Sequence, residues 1–432
     1  MAIQALLVIL AVLLVLLFLG VPISYAIAVS SLTAILSSID LNVAVLTAAQ
    51  RTFVGMSKFS LTAIPFFILA GNIMNQGGIA KRLVDFVMAI LGKMPGALLV
   101  TNIGTNALFG AISGSASAAA AAVGSMIRDG AEEQGYDPAV TAATNAASSC
   151  SGLLIPPSNA LITYSLASGG TSVAALFMAG YIPGIIWALC CCVVGVLLAV
   201  KLGYKGTPGK FDWKNLGICT LRALPSLSLI IVVIGGIIGG VFSATEGSAI
   251  AVVYALILAF CYRSINLKSL WKIIVDSAKM SGMVVFLVGV SNILGWVMAF
   301  LQIPDAVAAA LLSLTSNKYI ILLIMNVILL VSGTFMDVTP AILIFTPLFL
   351  PICQSFGMST IQFGLILVCI TCASATSPRL WATHCSWASR WAAPRFPRSC
   401  RTCLCTMWPS SAACCWSPLS RQCLPHCRRQ WA

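Results

Sequence analysis

The chain has 432 residues, of which 59% are apolar and 8% charged, with a formal net charge of +13. Soluble domains carry roughly 25% charged residues, so a soluble globular domain is excluded, and a chain this apolar is not disordered. Long uncharged apolar runs, rather than weak alternation, also exclude a transmembrane barrel and leave an all-α polytopic membrane protein.

Residues 1–39 contain no Asp, Glu, Lys or Arg. No basic region precedes the apolar run from Leu6 to Gly20, and no small-residue cleavage site follows it. Residues 3–25 are therefore expected to form the first membrane helix rather than a secretory signal. Further helical segments are expected at 27–49, 59–76, 80–92, 97–112, 116–128, 138–154, 158–168 and 173–200. A span takes about 20 apolar residues, so the 63 uncharged residues of 138–200 hold more than one. The whole chain has room for about ten or more membrane segments.

Asn106 to Ser117 includes a Gly/Ser tip, Ser113-Gly114-Ser115. Gly and Ser let the backbone turn inside the membrane and leave amides and hydroxyls free for a carboxylate or Na⁺. Small-residue helix packing is the alternative. Pro156-Pro157 cannot sit in a continuous helix, because both N–H groups are missing and the rings clash. The break frees carbonyls near Leu153 and Leu154, and Ser158 and Asn159 offer oxygens beside it; a plain inter-helix turn is the other reading. Cys190, Cys191 and Cys192 point in different directions on one helix, so they read as small apolar residues.

The stretch 201–222 carries Lys201, Lys205, Lys210, Lys214 and Arg222 against Asp212, and the positive-inside rule makes it a cytoplasmic loop. A second basic cluster, Arg263, Lys268 and Lys272, falls on the same side after two spans. Helical segments resume at 220–242, 245–262, 269–300, 303–315, 318–333, 338–354 and 360–371. Glu246, after Ser243-Ala244-Thr245, reads as an acid in a first helical turn. Asp337 is the only charged residue between 319 and 378. An intramembrane acid is a functional-site hypothesis, and an N-cap for the segment from Val338 is the competing one.

From 372 to 432 the chain holds eight Arg and no Lys, Asp or Glu, nine of the 17 Cys, six of the ten Trp and both His. The Cys spacing fits no standard zinc or disulfide pattern. Read one frame over, Ser377 to Thr383 permits Thr-Pro-Pro-Val-Gly-Asn, and the Trp381-Ala382 junction forces the Gly. We therefore read 372–432 as an out-of-frame tail. The most basic part of the chain then says nothing of partners, and no nucleic-acid partner is expected.

With the frame restored, the chain divides at the basic loop into two comparable halves. Residues 1–200 hold a hairpin near 97–128, and 223–371 hold one near 318–354. About 42 residues separate the first tip from Ile155-Pro156-Pro157-Ser158-Asn159, and a similar distance separates Gly333-Thr334-Phe335-Met336-Asp337-Val338-Thr339-Pro340 from the restored Thr-Pro-Pro-Val-Gly-Asn. Paired discontinuous segments in two halves point to a transport site between them. Residues 1–371 contain no His, no Walker sequence and no G-x-S-x-G elbow, which speaks against His catalysis, ATP hydrolysis and an esterase.

Six ordered motifs carry a resemblance. They are Leu61-Thr-Ala-Ile-Pro-Phe-Phe-Ile-Leu-Ala-Gly-Asn-Ile-Met74, Gly77-Gly78-Ile-Ala-Lys-Arg-Leu83, Gly110-Ala-Ile-Ser-Gly-Ser115, Ile155-Pro-Pro-Ser158, Ala244-Thr-Glu-Gly247 and Met336-Asp-Val-Thr-Pro340. Over about residues 1–371 the chain resembles the large, DctM-like membrane subunit of tripartite ATP-independent periplasmic (TRAP) transporters. The resemblance implies an inverted-repeat, elevator-type secondary transporter with two re-entrant hairpins and broken helices, in the bacterial inner membrane. It implies a small four-helix membrane subunit, a periplasmic substrate-binding protein, an organic-anion substrate and Na⁺ as coupling ion, with no other cofactor. The substrate or ion site is expected among Asn106, Ser113, Gly114, Ser115, Pro156, Pro157, Ser158, Asn159, Gly333, Thr334, Asp337 and Thr339, with Na⁺ near Ser113, Ser115, Gly333 and Asp337. A stand-alone carboxylate symporter or ion exchanger, and an integral-membrane enzyme, are the competing functions.

Overall fold

The computed structural model describes residues 2–206, 212–314, 317–333 and 336–375, and every regular element among them is helical. The first helix, α1 (Ala2–Phe18), stops earlier than the expected 3–25, because Gly20 takes φ +78 and Pro22 follows it. α2 (Ile23–Ile35) and α3 (Leu41–Met56) then replace the single segment expected over 27–49, with extended Asp40 at the start of α3. Extended Lys58 and a 3₁₀ turn over Phe59–Thr62 lead into α4 (Ala63–Gln76), so α3 and α4 form one apolar helix pair bent by 60°. Gly77-Gly78 turns the chain into the short α5 (Ile79–Leu91).

Next comes a hairpin of α6 (Ala97–Ser113) and α7 (Ala116–Glu133). A broken helix follows, made of α8 (Pro138–Ser149), α9 (Ser151–Leu154) and α10 (Asn159–Ala167). α11 (Val173–Leu202) completes the first half. The Asp212 carboxylate accepts from the backbone N–H groups of Lys214 (3.0 Å) and Asn215 (3.2 Å) and starts α12 (Trp213–Ile238). The stretch expected as a loop over 201–222 is thus helical at both ends. α13 (Ala244–Cys261) opens on a full capping box: Ser243 Oγ accepts from Glu246 N, and Glu246 accepts from Ser243 N at 2.7 Å. Glu246 therefore has the helix-start role read from the sequence.

The long α14 (Leu267–Phe300) and short α15 (Ile303–Leu314) lead to a second hairpin, α16 (Lys318–Gly333) and α17 (Val338–Ser355), and then to α18 (Thr360–Ala375). Among the described residues five helices are long and apolar enough to cross a membrane, or six with the bent α3–α4 pair. The expected tail 372–432 lies outside the described residues from 376 on.

The helices pack in two groups. α1 to α4 pack with α12 to α14, while α6 to α11 pack with one another and with α16 to α18. α5 bridges α6 and α12, α15 bridges α1 and α17, and the groups also touch directly where α14 packs on α17 and α4 on α6. Leaving α11, the chain crosses the base of the first hairpin. Gly96 N donates to Tyr204 O (3.2 Å), Asp137 N donates to the Tyr204 hydroxyl (2.8 Å), and the Tyr136 and Tyr204 rings stack with centroids 4.2 Å apart. Burial pushes the Tyr136 hydroxyl above the ordinary phenol range, and Tyr204 adds to the effect.

Candidate functional site

The first hairpin turns at Gly114, whose φ of +62 lies in the left-handed region that an L side chain rarely adopts. Ser115 caps α7, its Oγ accepting from Ala118 N at 3.4 Å. Ser113 Oγ donates to Ser115 O at 3.3 Å, and the Ser115 and Ser117 hydroxyls lie 3.1 Å apart. Small hydroxyl residues therefore line the tip.

The broken helix meets this tip. Ile155 is extended (φ −77, ψ 122), and Pro156-Pro157 are joined by a cis bond. Ser158 spans the gap. Its hydroxyl donates to Leu153 O and accepts from Leu161 N at 3.4 Å, so one side chain serves the carbonyl freed before the break and the amide orphaned after it. Asn159 N donates to Gly114 O at 3.3 Å. A methyl group added at Gly114 would lie 2.9 Å from Pro157 O and 3.2 Å from Asn159 N, so only glycine lets the two backbones touch. The Asn159 Oδ1 is buried with no partner among the described residues, an unpaired acceptor of the kind that calls for a ligand or water.

Neighbouring helices hold the junction by glycine contacts. A methyl at Gly110 of α6 would overlap the Cα of Gly152 in α9, and one at Gly180 of α11 would come 2.7 Å from Leu154 O. From the other group of helices, Gly71 of α4 reaches the tip: its added methyl would lie 3.2 Å from Ser113 Cα.

The structure thus brings Ser113, Gly114 and Ser115 together with Pro157, Ser158 and Asn159, and Pro156 belongs to the same break. Asn106 sits apart, two turns down α6 and fully buried. Its Nδ2 faces Asn102 Oδ1 (2.7 Å), Ser148 Oγ (2.8 Å) and Asn145 Oδ1 (2.9 Å). Asn145 in turn donates to Ala120 O at 2.8 Å. This network ties α6, α7 and α8 together, and sequence reasoning missed Asn102, Asn145 and Ser148, because nothing local marks residues 39 and 42 positions from Asn106 as its partners.

In the second hairpin Gly333 is buried at the end of α16, and Thr339 is half-buried in the first turn of α17. Asp337 caps α17, its Oδ1 accepting from Val338 N at 2.9 Å, which is the capping role weighed from the sequence. Thr334 lies outside the described residues. Among the described residues no hydrogen bond joins the two tips. Beside the site, the second hairpin and α18 meet the first half where α10 packs on α17 and α18, with the Tyr164 hydroxyl donating to Thr360 O.

Comparison with known proteins places this geometry. The profile of the family described as "Tripartite ATP-independent periplasmic transporter, DctM component" matches residues 10–380. A Salmonella typhimurium protein known as YgiK is 52% identical over 81% of this chain and 80% of its own length. The C4-dicarboxylate TRAP transporter large permease protein DctM of Rhodobacter capsulatus is 33% identical over 81% of this chain and 82% of its own. Relatives at 37%, 35% and 31% identity are named as permeases for isethionate (Oleidesulfovibrio alaskensis), ectoine (Halomonas elongata) and sialic acid (Vibrio cholerae); this chain spans 55% of the first, 78% of the second and 82% of the third. In fold, the crystal structure of the Alcanivorax borkumensis YdaH transporter is similar, with a TM-score of 0.53 at 12% identity over 83% of each chain. The chain belongs to the DctM family of TRAP transporter large permeases, and is a multi-pass inner-membrane permease rather than an enzyme.

Proposed function

We propose that this permease imports a small organic anion in symport with Na⁺, at a site where the Gly114 tip meets the Pro156–Asn159 break. The observation that carries the reading is the buried, unpaired Oδ1 of Asn159, the residue whose backbone N–H holds the break against Gly114 of the Ser113–Ser115 tip. Among the described residues no group of His, Cys, Asp or Glu could hold a metal ion. Hydroxyl and carbonyl oxygens at a helix break suit Na⁺. Asp337 would serve the corresponding place in the second half, with Gly333, Thr334 and Thr339 near it. The relatives' named substrates range over dicarboxylate, sulfonate, zwitterion and sugar acid, so a binding protein that selects the cargo fits the range. A small membrane subunit beside the permease completes the reading. The two helix groups suit a division into moving and fixed parts, with α14 on α17 and α4 on α6 as the surfaces that would slide.

The test is uptake into proteoliposomes, with the chain as it stands and with its frame restored after Thr371, plus a binding protein and the labelled C4-dicarboxylate succinate. Na⁺-dependent uptake is expected, and Asn159→Ala is expected to raise the Na⁺ needed for half-maximal rate by tenfold or more. Asp337→Asn is expected to abolish uptake while the protein still folds, because Asn caps a helix as well as Asp does. Na⁺ dependence unchanged in both variants would sink the ion assignment. Uptake that persists without any binding protein would favour the stand-alone symporter.

A further inference from the structure

Two turns converge on each other, and the sequence reading used the second only to assign sidedness. The α4–α5 turn lies against the α13–α14 turn. Methyl groups added at Gly77 and Gly78 would lie 3.4 Å from Ala259 Cβ and 3.5 Å from Ser264 Oγ, and Ser269 Oγ donates to Gln76 Oε1 at 3.4 Å. This apposition gathers Lys81 and Arg82 of α5 with Arg263, Lys268 and Lys272. The Arg82 guanidinium lies 3.2 Å from the centre of the Tyr262 ring.

Among the described residues none of these five cations pairs with a carboxylate. The acids on α5 and α14 are Asp85 and Asp276, Asp276 faces Lys279 at 4.0 Å, and Glu246 caps the opposite end of α13. Beneath Arg82 the Tyr262 hydroxyl is buried with no partner among the described residues. Arg263 has φ +52, a left-handed position just past a helix end where glycine is the residue the backbone favours. The helix dipole welcomes one cation there, but it does not account for a surplus of five against two acids.

The flanking surface is apolar. Val253, Ile257 and Phe260 form an exposed column on α13, and Leu267, Trp271 and Ile274 form another on α14 beside Lys268 and Lys272. Trp at this level is a membrane-interface anchor. We propose that this junction binds an anionic phospholipid, with the headgroup phosphate among Arg82, Arg263 and Lys268 near the Tyr262 hydroxyl, and the acyl chains along the exposed columns of α13 and α14. The apolar columns favour a lipid over a free phosphate, and the unneutralised cations favour an anionic lipid over a zwitterionic one.

Native mass spectrometry of the purified full chain, titrated with phosphatidylglycerol and with phosphatidylcholine of the same acyl chains, tests this. Phosphatidylglycerol is expected to bind at least tenfold more tightly. Arg263→Gln and Lys268→Gln, at exposed positions that leave the core intact, are each expected to weaken it about fivefold. Arg82→Lys, which keeps the charge, is expected to retain binding. A Lys201→Gln/Lys214→Gln control, which removes charge from the inter-half connection, is expected to bind as the parent does. Equal affinity for the two lipids, or unchanged affinity in both the Arg263 and Lys268 variants, would overturn the proposal. Displacement by millimolar inorganic phosphate would reduce the site to a simple anion site and overturn the lipid reading.

Discussion

At Gly110 a single hydrogen atom separates two helices. Its partner Gly152 lies 42 residues on, and the two backbones leave no room for a methyl group between them. Gly110→Ala is expected to abolish folded protein or to lower its thermal midpoint steeply, because both neighbours are backbone and cannot swing aside. Gly130→Ala in α7 is the control, since its added methyl meets nothing closer than 4.0 Å; there the change is expected to be neutral or slightly stabilising. Thermal melts in detergent read both. Asn106 makes the complementary point. Asn106→Ala would leave Asn102 Oδ1 and Asn145 Oδ1 without the donor they share, and a loss of about 1–3 kcal/mol is expected, seen as a lower midpoint. The Gly/Ser tip was legible in the sequence because a turn inside a membrane admits few residue types. The partners of Asn106 were not, because Asn145 and Ser148 lie 39 and 42 positions away in the chain.

At the scale of elements, punctuation was easier to read than length. Pro156-Pro157 announced the break in the first half, and Ser243 with Glu246 announced the start of α13. Both rest on local chemistry, missing amides in one case and a side chain returning to its own helix start in the other. Ser243→Ala is expected to cost about 1 kcal/mol, whereas Glu246→Gln keeps a capping box and is expected to cost less. Denaturation midpoints of the two variants check the order. The early end of α1 was missed because the residues past Phe18 remain apolar; only Gly20 and Pro22 mark the stop, and apolar content outweighs them in a composition-based reading. The start of α12 at Trp213 was missed for the opposite reason: basic residues suggested a loop, while the Asp212 cap that begins the helix was counted only as a charge.

For the whole molecule the division into two helix groups came from packing alone. Contacts such as α10 on α17 or α13 on α4 join distant parts of the chain, and no periodicity encodes them. The proposed movement of one group past the other is open to a direct test. An added methyl at Gly295 of α14 would lie 4.0 Å from the Cβ of Pro347 in α17, within the 3.5–4.5 Å that disulfides span. Gly295→Cys with Pro347→Cys is expected to cross-link on mild oxidation and to stop uptake reversibly, with either single change leaving it intact. Peptide mapping without reductant follows the bond. Full uptake in the cross-linked protein would mean that these helices do not move apart.

The strap at Tyr204 sets a limit on any such movement. Gly206 is pressed against Lys93 at the root of the first hairpin, where an added methyl would lie 2.5 Å from the Lys93 carbonyl oxygen, and Asp212 is fixed at the head of α12. Six residue steps separate those anchors, and an extended chain spans at most about 3.3–3.6 Å per residue. While the strap holds, the hairpin root and the head of α12 can therefore never stand more than about 22 Å apart. The polypeptide is its own leash, and any movement of the kind proposed would be bounded by the length of this connection.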